Sequence, residues 1–111
     1  FIVAPIYLHD NWKDGYYDMF EKLAMSLPEA NKKDITFEFI QHRFTKPVKR
    51  VIQKNYPMTK LELDEEKRKW KWGRYGIGKY VYKTEEQEEI KHTLTAYLDH
   101  FFPKARLEYF T

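Results

Sequence analysis

Two hydrophobic periods alternate along this chain, and each change of period marks an element. The apolar, β-branched run FIVAPIY at residues 1–7 predicts a buried strand. After the polar loop LHDNWKDG, the segment YYDMFEKLAMSL places Tyr16, Phe20, Leu23, Met25 and Leu27 near one helical stripe that ends before Pro28. DITFEFI predicts a second strand and QHRFTK a loop. Pro47 then sits in the first turn of a helix, PVKRVIQKN, which stops at Tyr56-Pro57. Strand, helix, strand, helix in that order predicts right-handed crossovers and a parallel sheet. A domain seldom opens inside a buried strand, so a preceding N-terminal part of the same fold is expected.

Beyond Pro57 the period changes. Residues 58–66 form a polar connection with room for a short strand at TKLEL, and KWKWGRYGIGKYVYK at 69–83 predicts a β-hairpin. Centring its turn on Gly76 sets Trp72 opposite Tyr80 and Trp70 opposite Tyr82 on one face. Lys69, Lys71, Lys79 and Lys83 then point to the other face, and Arg74 and Tyr75 lie near the tip. Thr84, with Gln87 three residues later, predicts a capping box at the start of EEQEEIKHTLTAYLDHFF, whose Ile90, Leu94, Tyr97, Leu98 and Phe101 share a side. ARLEYF predicts a last strand. The chain thus divides into residues 1–57, with two β/α units; 58–83, a linker and hairpin; and 84–111, a helix and strand.

Composition changes this picture mainly through charge. The net charge of +3 conceals blocks: residues 41–60 carry six cations and no acid, and residues 67–83 carry seven and no acid. With 18% aromatic residues, such blocks predict a basic, ring-bearing face for a polyanion. The 111 residues suffice for one domain. The absence of cysteine excludes disulfides and cysteine-held iron–sulfur clusters within this sequence. FIVAPIYL is too short to span a bilayer, and the expectation is a soluble, cytoplasmic protein without membrane contact.

Several residues are candidates for chemistry. His9 and His42 each follow the carboxyl end of a predicted parallel strand, the side on which α/β folds build sites. They either line a ligand cavity or satisfy backbone groups; a metal site with Asp10 has no supporting ligand spacing. Glu38, inside ITFEFI, either points into an interior to hold a ligand or forms a structural ion pair. Pro5 marks a strand end or bulge, or shapes the backbone at Ala4 to Ile6 for a ligand. RYGIG lacks phosphate-loop spacing, so its glycines serve geometry. A cationic hairpin with Arg and Tyr at its tip, beside a basic helix, fits a wedge on nucleic acid, and an amphipathic hairpin over a core is the competing reading.

The strings ITFEFIQHRFTKPVKRVIQKNYP and TKLELDEEKRKWKWGRYGIGKYVY and the ending EYFT resemble the C-terminal third of the spore photoproduct lyase family, radical S-adenosylmethionine enzymes of DNA repair. The resemblance implies the C-terminal part of a partial (β/α) radical-SAM barrel with an appended β-hairpin and C-terminal helix. It also implies an enzyme that returns the methylene-bridged thymine dimer to two thymines in the germinating spore. That family uses a 4Fe-4S cluster with S-adenosylmethionine on its open iron, and a cysteine hydrogen donor. This sequence has no cysteine, so it is expected to be inactive alone, to hold no metal and to require the N-terminal remainder of the enzyme. Carried over residue by residue, the resemblance puts Ala4 near S-adenosylmethionine and assigns Arg74 and Tyr75 to the extruded lesion. Lys79 is assigned to backbone phosphate, and Arg43 faces the same double-stranded DNA. The alternative is a free-standing nucleic-acid-binding module.

Overall fold

The computed structural model describes residues 1–111, with strands and α-helices in the order β1 (Ile2–Ile6), α1 (Trp12–Ser26), β2 (Thr36–Gln41), α2 (Lys46–Asn55), β3 (Arg68–Trp72), β4 (Gly78–Tyr82), α3 (Thr84–Phe101) and β5 (Arg106–Phe110). Two units form, one from Phe1–Gln41 with Glu85–Thr111 and one from His42–Thr84.

In the first unit, β1, β2 and β5 make a parallel sheet in the order β1-β2-β5, as the alternation of strands and helices predicts. The central strand decides which face is packed. Along β2 the side chains of Phe37, Phe39 and Gln41 are buried, while Thr36, Glu38 and Ile40 are only partly covered. Phe20 from α1 packs against both phenylalanines, with ring centroids 5.9 and 6.0 Å away, and Phe102, just past α3, lies 5.2 Å from Phe37. Ile90, Leu94 and Leu98 bury the inner stripe of α3. The strict period of two in β2 therefore reflects a sheet packed on one face, and Glu38 sits on the less covered face. Glu38 forms no ion pair within residues 1–111.

Two further differences from the sequence reading have local causes. Met25 is 80% exposed and Ala24 is buried instead, because the α1 stripe follows Phe20 by four residues rather than five. The β1–β2 ladder runs Ile2 to Glu38 and Val3 to Phe39 and resumes only at Ile6 to Gln41. Ala4 and Pro5 fall in that break, where proline has no N–H to give the ladder.

The second unit is built on the antiparallel β3–β4 hairpin. Its register is Arg68 to Tyr82, Lys69 to Val81, Trp70 to Tyr80, Lys71 to Lys79 and Trp72 to Gly78. The turn is thus centred on Tyr75, not Gly76, and each expected aromatic pair moves by two residues. Gly78 explains the shift. A Cβ there would lie 1.8 Å from the Trp70 ring, so this glycine admits an indole and belongs to the strand rather than to the turn. The tip is closed by the Gly73 N–H donating to the Ile77 carbonyl at 2.6 Å. No strand forms at TKLEL; residues Glu65–Lys67 make a short 3₁₀ turn capped by the Asp64 carboxylate. Helix α2 begins at Thr45, whose hydroxyl accepts from the Val48 N–H at 3.3 Å, with Pro47 in its first turn as predicted. No helix is long and apolar enough to cross a membrane.

The packing assigns unequal weights to neighbours on β2. In the complete polypeptide that carries this segment, Phe37→Ala should destabilise folding by about 3–5 kcal/mol and Glu38→Ala by less than about 1 kcal/mol. Chemical denaturation measures both, and equal losses would contradict the one-faced core.

Candidate nucleic-acid interface

A third extended segment joins the hairpin. Phe44 exchanges both backbone hydrogen bonds with Tyr80, at 3.1 and 2.7 Å, so residues 42–44 run beside β4 on the edge away from β3. Alternation then separates two characters across three strands. On one face lie Phe44, Tyr80 and Trp70: Phe44 stacks on Tyr80 at 5.2 Å and Trp70 meets Tyr80 edge-on at 5.0 Å. On the other face Lys79 and Lys71 stand opposite one another, with the Arg43 charge close enough to act on Lys79.

The cationic row contradicts hairpin stability taken alone. Lys71 and Lys79 stand directly opposite one another, a pairing that costs free energy between like charges. Burial first, then the charges of Arg43 and Lys71, hold the Lys79 ammonium below its ordinary value. Neither lysine has an acidic partner in an ion pair. Functional sites are among the places where local pairing rules are broken and the cost is offset elsewhere. Lys69 differs, since its ammonium donates to the Thr84 hydroxyl at 2.7 Å, and Val81, not a further lysine, faces it. The expected all-lysine face is therefore shorter than the parity suggested.

At the tip, Tyr75 is 95% exposed and has φ 62° and ψ 28°, followed by Gly76 at φ 71°. Left-handed backbone suits glycine, whereas a bulky ring there costs roughly 1–2 kcal/mol. At 95% exposure the ring makes almost no packing contact that offsets this strain. Trp70 and Trp72 are 42% and 69% exposed, so these rings cover less of a core than expected.

Beneath the row lies a group that the sequence reading missed. The Arg68 side chain is fully buried and its guanidinium is completely engaged. Its Nε and one terminal nitrogen donate to Glu62 Oε2 at 3.1 and 2.8 Å; the other terminal nitrogen donates to the His42 carbonyl at 3.2 Å. His42 Nδ1 lies 3.1 Å from the guanidinium, which has no lone pair, so Nδ1 accepts and the ring is held neutral. The planar cation also lies 3.9 Å from the Tyr82 ring centroid and 5.3 Å from that of Phe44. One signal was available: Arg68 shares parity with Trp70 and Trp72, and an arginine on a ring-bearing face needs a partner.

The remaining candidates are placed as follows. Arg74 and Tyr75 occupy the tip, and Arg43 and Lys79 share the cationic face; Ala4 is exposed at the ladder break of the sheet unit. His9 Nδ1 lies 2.8 Å from the Asp10 carbonyl, and its ring faces Tyr16 at 6.3 Å. Tyr16 in turn accepts from the Tyr7 N–H at 2.8 Å, and burial raises its phenol above its ordinary value. His42 belongs to the Arg68 network rather than to an open cavity wall. No group of three or more His, Asp or Glu that could hold a metal forms, and the chain has no cysteine. The residues present do not fit a 4Fe-4S cluster.

A parallel α/β unit joined to a cation-faced, ring-tipped hairpin defines a chain of mixed architecture whose charged elements suit a polyanion. The spore photoproduct lyase family matches residues 1–111, and the chain belongs to that family. It is 64% identical over 111 residues to spore photoproduct lyase of Bacillus subtilis, covering 100% of this chain and 32% of the relative. With the Clostridium acetobutylicum lyase it is 41% identical over 109 residues, covering 98% and 32%. The chain thus spans about one third of the length of these relatives. A solved structure of spore photoproduct lyase complexed with dinucleoside spore photoproduct matches 100% of this chain and 33% of its own, with TM-score 0.95 and 58% identity. A mutant lyase with bound AdoMet and dinucleoside spore photoproduct matches equally well.

Burial, and then the Arg68 charge, lower the His42 pKa to about 4 from an ordinary 6.5. A lowered folded value means that the unfolded chain takes up the proton first. The hairpin unit should therefore keep its full stability above about pH 6.5 and lose it progressively toward pH 4. An NMR titration of the His42 ring checks this directly, and a midpoint at or above 6.5 would contradict the Arg68 contact.

Proposed function

We propose that this segment is the DNA- and lesion-binding part of a spore photoproduct lyase, acting with the remaining N-terminal part of the enzyme on double-stranded DNA that contains the methylene-bridged thymine dimer. The observation that carries the reading is the row Arg43, Lys79 and Lys71, in which two lysines face each other without an acid. Adjacent strands lie about 4.8 Å apart, so Lys71 and Lys79 present paired charge with Arg43 nearby. Such a surface gains most from a line of phosphates, which relieves the repulsion within it and releases counterions from the DNA.

Tyr75 and Arg74 complete the interface at the tip. An exposed ring on strained backbone is suited to fill the space that an extruded dinucleotide leaves, offsetting part of the few kcal/mol that unstacking costs. Arg74 beside it supplies a planar cation for phosphate or base. Ala4, at the break in the β1 ladder, fits a backbone contact to S-adenosylmethionine, which when bound supplies the radical that starts the repair. The first unit serves as part of the barrel wall, and the cluster ligands and the hydrogen-donating cysteine come from elsewhere in the enzyme. The residues of this chain bind and orient; none takes part in the bond-breaking step.

Two expected outcomes test the reading in the complete polypeptide. Replacing Lys71 and Lys79 together by alanine should weaken intact and lesion-bearing duplex alike and make the log affinity against log salt slope shallower by about 1.8, the value for two lost phosphate contacts. An unchanged slope would sink the phosphate assignment. Tyr75→Gly relieves the left-handed strain, so thermal stability should hold or rise, while affinity for lesion-bearing DNA falls more than affinity for intact duplex. Equal losses on the two DNAs would mean that the tip does not reach the extruded site.

A further inference from the structure

Arg43 is placed on the phosphate-facing side by a loop, and loops hold a side chain in place only as well as their own backbone is held. Two groups hold this one. The Phe44 backbone is paired with Tyr80, and one residue before Arg43 the His42 carbonyl and ring both take hydrogen bonds from Arg68. The His42 and Phe44 rings lie 6.2 Å apart on one side, so Arg43 between them projects the other way. Gripping both neighbours of Arg43 from the ring-bearing side keeps Arg43 on the side where its charge acts on Lys79.

We propose that Arg68 is a positioning residue for nucleic-acid binding: buried and unable to reach a ligand, it fixes His42 and thereby the side on which Arg43 meets phosphate. The inference rests on the reading of Arg43, Lys79 and Lys71 as a phosphate-binding row. Its geometry uses all three nitrogens of the guanidinium. Nε holds the Glu62 carboxylate, one terminal nitrogen holds both that carboxylate and His42 Nδ1, and the other terminal nitrogen holds the His42 carbonyl, whereas a lysine ammonium has a single nitrogen for the same partners. Glu62 neutralises the charge and aims the fork, and Tyr82 and Phe44 keep the plane in register.

The test is a double-mutant cycle on duplex DNA affinity and its salt dependence, using the complete polypeptide. Arg43→Ala should weaken binding roughly three- to tenfold and make the salt slope shallower by about 0.9. Arg68→Lys, which keeps the charge, should reproduce most of that loss and most of the slope change. The decisive sample is the double variant: if Arg68 acts through Arg43, Arg68→Lys adds almost nothing once Arg43 is alanine. Additive losses, or wild-type affinity in Arg68→Lys, overturn the proposal. Should Arg68→Lys not fold, His42→Leu cuts the side-chain half of the same connection, leaving Arg68 and its bond to the backbone carbonyl in place, and His42→Asn returns an acceptor where Nδ1 stood. The proposal then requires the slope change in the first and its recovery in the second; identical slopes in both overturn it. Unchanged affinity in the Lys71 and Lys79 double alanine variant, by contrast, removes the phosphate row itself and the role built on it.

Discussion

Taking a guanidinium out of water costs several kcal/mol, and in the hairpin unit that cost is met by one carboxylate, two carbonyls, one imidazole and two ring faces arranged around Arg68. The partners come from three pieces of chain. Glu62 precedes the hairpin, Tyr82 ends it, and His42 and Phe44 belong to the segment laid along its edge. A buried ion pair adds little net stability compared with apolar packing, but it tolerates few alternative arrangements. The benefit here is definition: a short three-stranded surface with almost no core of its own is given one register.

That register separates rings from cations. The rings of Phe44, Tyr80 and Trp70 line one face and the Lys79 and Lys71 cations the other, so the side chains that bind the surface together are not the charged ones. Electrostatic repulsion among the cations is tolerated because the rings, the Phe44 bridge and the Arg68 network act on the opposite side. The strained Tyr75 follows the same division, since its cost is local and the strands below it are fixed independently.

Much of this was legible in the sequence, for reasons that can be named. Elements with a clean period were found: the parallel strands, the helix starting near Pro47 and the long third helix all follow from apolar spacing. Parity alone separated rings from lysines, and the blocks of unopposed cations pointed to a polyanion. The register was misread because Gly76 and Gly78 look alike in sequence, and only the indole lying on Gly78 distinguishes a packing glycine from a turn glycine. Arg68 was overlooked because it was counted as one cation in a basic block, when its partners lie 6, 14 and 26 residues away in sequence.

The division of the chain also sets an order of events. Strands β2 and β5 pair Thr36 with Arg106, whereas the hairpin pairs Trp72 with Gly78 and every partner of Arg68 lies between His42 and Tyr82. A ribosome reading this message completes the hairpin unit while the third strand of the sheet is still untranslated. Contacts close in sequence form sooner than distant ones. The basic surface is thus complete in the nascent chain before this sheet is.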